Sequence, residues 1–131
     1  MGAEELLADR AIVVADTAGV IRVWSDAAAE MFAMPAEQAV GQRLDLMIPA
    51  HLREVHWKAF EHAVSARVTK YEGLAFADPV LHGDGSVAIH RGWIDLLRDT
   101  AGTVVGVISM WEPARAEDQE LPAPRVVGKR G

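Results

Sequence analysis

The sequence predicts an α+β domain in which a five-stranded antiparallel sheet carries its helices on one face. Three observations lead there. Two extended segments around a tight turn open the chain, three more close it, and the stretch between them has helical spacing and capping residues. The 131 residues, half of them apolar and 24% charged, suffice for one hydrophobic core and not for two.

Glu4 to Asp9 reads as a short amphipathic helix whose Leu6 and Leu7 need cover, so residues 1–10 are expected as an N-terminal cap. Ala11 to Ala15 and Val20 to Trp24 alternate as strands about the turn Asp16-Thr-Ala-Gly19, which makes a hairpin. Ser25 or Asp26 caps a helix reaching about Met31, because a short side-chain oxygen satisfies its free amides. Pro35 to Gln38 starts a further helical turn that Gly41 ends. Pro49 closes the segment Leu44 to Ile48, and a longer helix runs from about His51 to Ser65. Tyr71 to Val80, Val87 to Leu97 and Thr103 to Trp111 are extended and separated by turn-forming sequences, a meander. Residues 11–112 thus form the domain. Residues 113–131 set Pro113, Pro122 and Pro124 among charges and read as a mobile extension without a core.

Composition narrows the function. No cysteine is present, which excludes disulfides, thiolate metal sites and cysteine nucleophiles. A formal net charge of −6 without a basic stripe argues against nucleic-acid binding. Apolar runs of only a few residues exclude a membrane-spanning helix, and the absence of an export signal points to the cytoplasm. No nucleophile, base and orienting group stand at motif spacing, so an enzyme is not expected.

On the long helix, steps of about 100° place Leu52, Val55, Trp57, Ala59, Phe60, Ala63 and Val64 on one arc with His56 near its middle. His51 and His62 fall at its edge beside Lys58 and Glu61. An imidazole at the centre of a buried face must find a partner inside, either a backbone carbonyl or a metal. In the strand from Val87, alternation sets Ala88, His90, Gly92, Ile94 and Leu96 on one face and Ile89, Arg91, Trp93 and Leu97 on the other. Gly92 leaves space that either a ligand or a neighbouring Trp or Phe fills.

The opening hairpin, Ala28-Ala-Glu-Met-Phe32, Glu37-Gln-Ala-Val-Gly41-Gln, Met47-Ile-Pro49, Gly83-Asp-Gly85 and Leu97-Arg-Asp99, in this order, resembles the PAS sensor family from Leu6 to Glu112. Within it, Ile48-Pro-Ala-His-Leu-Arg-Glu-Val-His56-Trp resembles the haem-binding subset, found in oxygen-sensing histidine kinases and carbon-monoxide-sensing regulators. The flavin-adduct and covalent-chromophore classes rely on a cysteine that this chain lacks. The resemblance implies haem b (iron protoporphyrin IX) between the inner sheet face and the long helix, with His56 as the iron ligand. It places Leu52, Ala59, Ala63, Tyr71, Phe76, His90, Gly92 and Ile94 around the macrocycle and His62 and Lys70 at its propionates. The kinases' oxygen-bonding arginine is matched here by Phe76, a departure that favours carbon monoxide or nitric oxide over oxygen; His90 offers a substitute donor or a second iron ligand. The expected function is a haem-binding sensor of a diatomic gas that signals through contacts with a protein partner. The alternative is a cofactor-free or small-ligand interaction module. The apolar outer strip Ile89, Trp93 and Leu97 calls for the first helix or a second copy of the chain, and PAS relatives often dimerise there, so a homodimer is expected.

Overall fold

The computed structural model describes residues 9–69 and 71–129, so the expected cap helix with Leu6 and Leu7, and the candidate Lys70, lie outside the described residues. The opening hairpin pairs β1 (Ala11–Asp16) with β2 (Ile21–Trp24). Asp16 shapes its turn, accepting from the amides of Ala18 at 2.9 Å and Val20 at 3.0 Å, while Gly19 takes a φ of 79° that a side chain would disfavour. Trp57 lies directly on this glycine, so the turn is also a packing surface.

Ser25 caps α1 (Asp26–Met31), and its hydroxyl oxygen also accepts from the Ile12 amide at 2.9 Å, which ties the helix to β1. A single turn, α2 (Ala36–Ala39), and two 3-10 turns, Leu44–Met47 and Ala50–Leu52, lead into α3 (Arg53–Ala66). The start of α3 is fastened to the first of these turns. Arg53 donates to the carbonyls of Ile48 at 3.0 Å and Asp45 at 3.2 Å, and the Trp57 indole donates to the Asp45 carboxylate at 2.6 Å.

These anchors set which side of α3 turns inward. Phe60 is buried, and Arg53, His56, Trp57, Ala63 and Val64 are half-buried. Val55 is 61% exposed and Ala59 is exposed as well, a correction to the broader arc expected from residue type. A helix wheel ranks Val and Ala as apolar, but the Arg53 and Trp57 tethers rotate them outward.

The meander follows as β3 (Leu74–Leu81), β4 (Val87–Arg98) and β5 (Val104–Trp111), and the sheet order is β2-β1-β5-β4-β3-β6. The sixth strand, β6 (Arg125–Lys129), pairs antiparallel with β3. It comes from the segment expected as a mobile extension, which is a second correction. The tail is held by Asp118, fully buried, which accepts from Arg91 at 2.8 and 3.0 Å and from Arg125 at 2.5 Å. Beside it the Gln119 amide group brackets Ile89, accepting from its N–H at 2.8 Å and donating to its carbonyl at 2.9 Å. The side chain thereby continues the ladder where β4 runs past the end of β5.

Candidate functional site

The core between α3 and the sheet is where the sequence places its site. From α3 come Phe60, Trp57 and Val64; from the sheet side come Phe76, Ile94, Val107 and Trp111, with Tyr71 at the margin. The backbone of α3 packs on the Ala50–Leu52 turn and stands away from the strands, so large side chains span the gap.

His56 sits on the inward side of α3 against the rings of Trp57 at 4.8 Å and Phe60 at 5.9 Å. Its Nδ1 is buried and has no hydrogen-bond partner. Burial pushes the imidazole pKa below its ordinary value, with the charge of Asp45 opposing, so at neutral pH the ring is uncharged. An uncharged ring with an unsatisfied nitrogen can take a donor or a metal there.

On the facing sheet, Phe76, Gly92 and Trp111 stand side by side in register across β3, β4 and β5. Trp111 fills the space above Gly92. A Cβ added to this glycine would lie 2.7 Å from the indole and 2.6 Å from the Met110 carbonyl oxygen. The Phe76 ring meets the Trp111 ring edge-on at 5.6 Å and Tyr71 at 5.5 Å. Of the two readings the sequence allows for Gly92, the structure therefore shows the neighbouring aromatic in the gap.

His90 is 2% exposed on the same inner face. Its Nδ1 lies 2.8 Å from the Glu112 carbonyl oxygen, which can only accept, so Nδ1 carries the proton. Its Nε2 is then an acceptor and takes the Nε2–H of His82 at 2.9 Å. Phe32 packs on both rings, at 5.2 and 5.8 Å. With both nitrogens engaged inside the protein, His90 is not free to act as a second iron ligand or as a donor, which corrects that expectation. Burial lowers its pKa, and the Glu112 carbonyl opposes the shift.

The remaining candidates are only partly gathered. Leu52, Ala63, Tyr71 and Ile94 are half-buried around this core, whereas Ala59 and His62 are exposed. His82 and Asp78 were not singled out by the sequence reading. The two-residue spacing from Phe76 to Val80 was the available signal for Asp78, because it sets that carboxyl inward.

The chain matches the model of the PAS fold family over residues 5–114 and belongs to that family. It is a PAS sensor or interaction domain, and β6 lies beyond the matched segment. Among solved structures, a PAS domain from Colwellia psychrerythraea is similar, with a TM-score of 0.67 at 21% identity over 84% of this chain and 92% of that one. A light-oxygen-voltage domain studied with a flavin analogue gives 0.63 at 16% identity, over 91% and 93%. The VqmA dimer of Vibrio cholerae gives 0.61 at 17% identity over 89% of this chain and 54% of that one. At these identities the likeness shows the fold. No curated protein matches the chain. No helix among the described residues is long and apolar enough to cross a membrane.

Proposed function

We propose that this PAS domain binds haem b through His56 and senses a diatomic gas, CO, NO or O2. The observation that carries the reading is the buried, unpartnered Nδ1 of an uncharged imidazole on the inward side of α3. On the α3 side the residues fit the group, since Trp57 and Phe60 give His56 apolar surroundings. Among the described residues no three His, Asp or Glu side chains gather to hold a metal, and a haem needs only one protein ligand besides its own four ring nitrogens.

A bound haem would supply an iron atom to which the gas binds. The chain's own residues do the rest: His56 gives a nitrogen lone pair, and Leu52, Ala63, Tyr71, Phe76 and Ile94 exclude water. The His82–Glu112 pair keeps His90 in place. An apolar Phe76, which offers no hydrogen-bond donor, would favour carbon monoxide and nitric oxide over oxygen. The signal leaves through contact with another protein, in the cytoplasm. A second copy of the chain seated on the outer face beside Trp93 makes the assembly a homodimer.

The filled space above Gly92 favours a second reading, a cofactor-free or small-ligand interaction module. Titration of the purified protein with haem separates the two. The haem reading requires an intense Soret band at one haem per chain, lost or altered in His56→Ala and retained in His51→Ala. An unaltered spectrum in His56→Ala overturns the ligand assignment, and no stoichiometric band in the parent leaves the interaction module.

A further inference from the structure

A groove of about 270 Å3 opens on the outer face of the sheet, away from the core. Strand register makes it. Trp93 of β4 pairs with Met110 of β5, and Ala75 of β3 pairs with Gly128 of β6, so two large side chains stand beside an alanine and a glycine. Val127, the extra residue where β6 shifts register against β3, lines the groove as well. The chain carries a net charge of −6, yet Arg10, Arg91, Arg115 and Lys129 surround this space against one acid, Glu112. That carboxylate is shared between two guanidinium groups, Arg10 at 3.5 Å and Arg115 at 3.0 Å. Arg91 is fixed by the fully buried Asp118, which Arg125 shares. Asp9 and Glu117 meet Arg10 and Arg115 at 3.3 and 3.7 Å but are exposed and do not line the groove; pairs of that kind contribute little. Lys129 forms no ion pair among the described residues. The groove therefore gathers positive charge that its own carboxylates do not balance.

We propose that this groove binds a small organic dianion, a phosphate monoester or a dicarboxylate, with its flat apolar body against Trp93 and Met110 and its charge among Arg91, Arg115 and Lys129. Guanidinium forks suit both anions. The volume suits a small molecule rather than a length of partner chain. Arg115 and the β6 wall lie beyond residues 5–114, which match the family model, so the groove is this chain's addition to the shared fold. It is independent of what the core binds.

The test is calorimetric titration with adenosine monophosphate and with phthalate at about pH 8, where a phosphate monoester is doubly charged, and with adenosine as the uncharged control. The chain is kept dilute enough to be a monomer by light scattering, because a second copy beside Trp93 would cover the groove. At least one dianion should bind, adenosine should not, and added salt should weaken the binding. Binding of adenosine monophosphate alone identifies a phosphate monoester, and binding of phthalate alone a dicarboxylate. Ala75→Leu, which fills the floor, and Lys129→Glu should each lower affinity about tenfold or more, whereas Lys58→Glu, the same charge change on the exposed face of α3, should leave it within about twofold. Arg115→Glu replaces Ala75→Leu in the comparison if the leucine variant does not fold. Binding of neither dianion overturns the proposal, as does equal affinity in the parent and the groove variants. Binding of a polyglutamate peptide where neither dianion binds also overturns it, in favour of a protein-docking surface.

Discussion

Gly92 lies between Phe76 and Trp111, and the missing side chain lets the indole rest on the strand itself. A methyl group there meets the Met110 carbonyl at 2.6 Å, a backbone contact that no rotamer change relieves. Gly92→Ala is therefore expected to destabilise the domain by about 1 to 3 kcal/mol, the usual cost of overpacking, read as a lower urea midpoint without haem present. An unchanged midpoint would show that the β5 backbone at Met110 gives way as readily as the Trp111 ring. The inward direction of Gly92 and His90 was legible from alternation in β4. What filled each space was not, because Trp111, Glu112 and His82 reach them from positions that no local pattern connects. His56 shows the same limit: its place on the inward side of α3 was legible, whereas its lack of a partner was not.

At the scale of elements, the hairpin, the long helix and the meander follow from turn residues and periodicity near in sequence, and those were legible. The tail was not. Its prolines and charges have the composition of a disordered segment, yet Asp118 finds Arg91 twenty-seven residues back in the chain and carries β6 into place through Arg125. Paired guanidinium groups hold the Asp118 carboxyl down at about 2, below its ordinary 3.8. A carboxylate with a lowered folded pKa lends stability above its unfolded value and loses it as pH falls through the folded one. Amide protection in β6 should thus survive at about pH 4 and disappear toward about pH 2. In Asp118→Asn hydrogen exchange along β6 should be fast already at neutral pH, with the β1–β5 pairing unaffected. Slow exchange in that variant would show that the backbone ladder to β3 holds the strand without the clamp.

The whole molecule combines buried groups whose titrations oppose one another. Asp78 binds its proton more tightly folded than unfolded, since burial moves it from 3.8 to about 6. Its ionised form therefore costs stability above the folded value, and the cost is relieved as pH falls through about 6. His56 and His90 are shifted the other way, below 6.5, chiefly by burial. For them the unfolded chain takes up protons first, so stability is lost as pH drops below 6.5. Asp16 and Asp84 are held below the carboxylate range by hydrogen bonds from Val20 and Ser86, and Asp118 by its arginines, so none of these three contributes between about pH 5 and 8. In the haem-free parent stability should change little from pH 8 to about 6, and below that the gain from Asp78, spread between about 6 and 3.8, offsets part of the histidine loss. Asp78→Asn removes the offset. It should be more stable than the parent at pH 8, by up to roughly 3 kcal/mol at about 1.4 kcal/mol per pKa unit, and should fall more steeply on acidification. Urea unfolding from pH 8 down to about 4 measures both slopes, and parallel curves for parent and variant would show that the Asp78 carboxyl is solvated rather than held in the core.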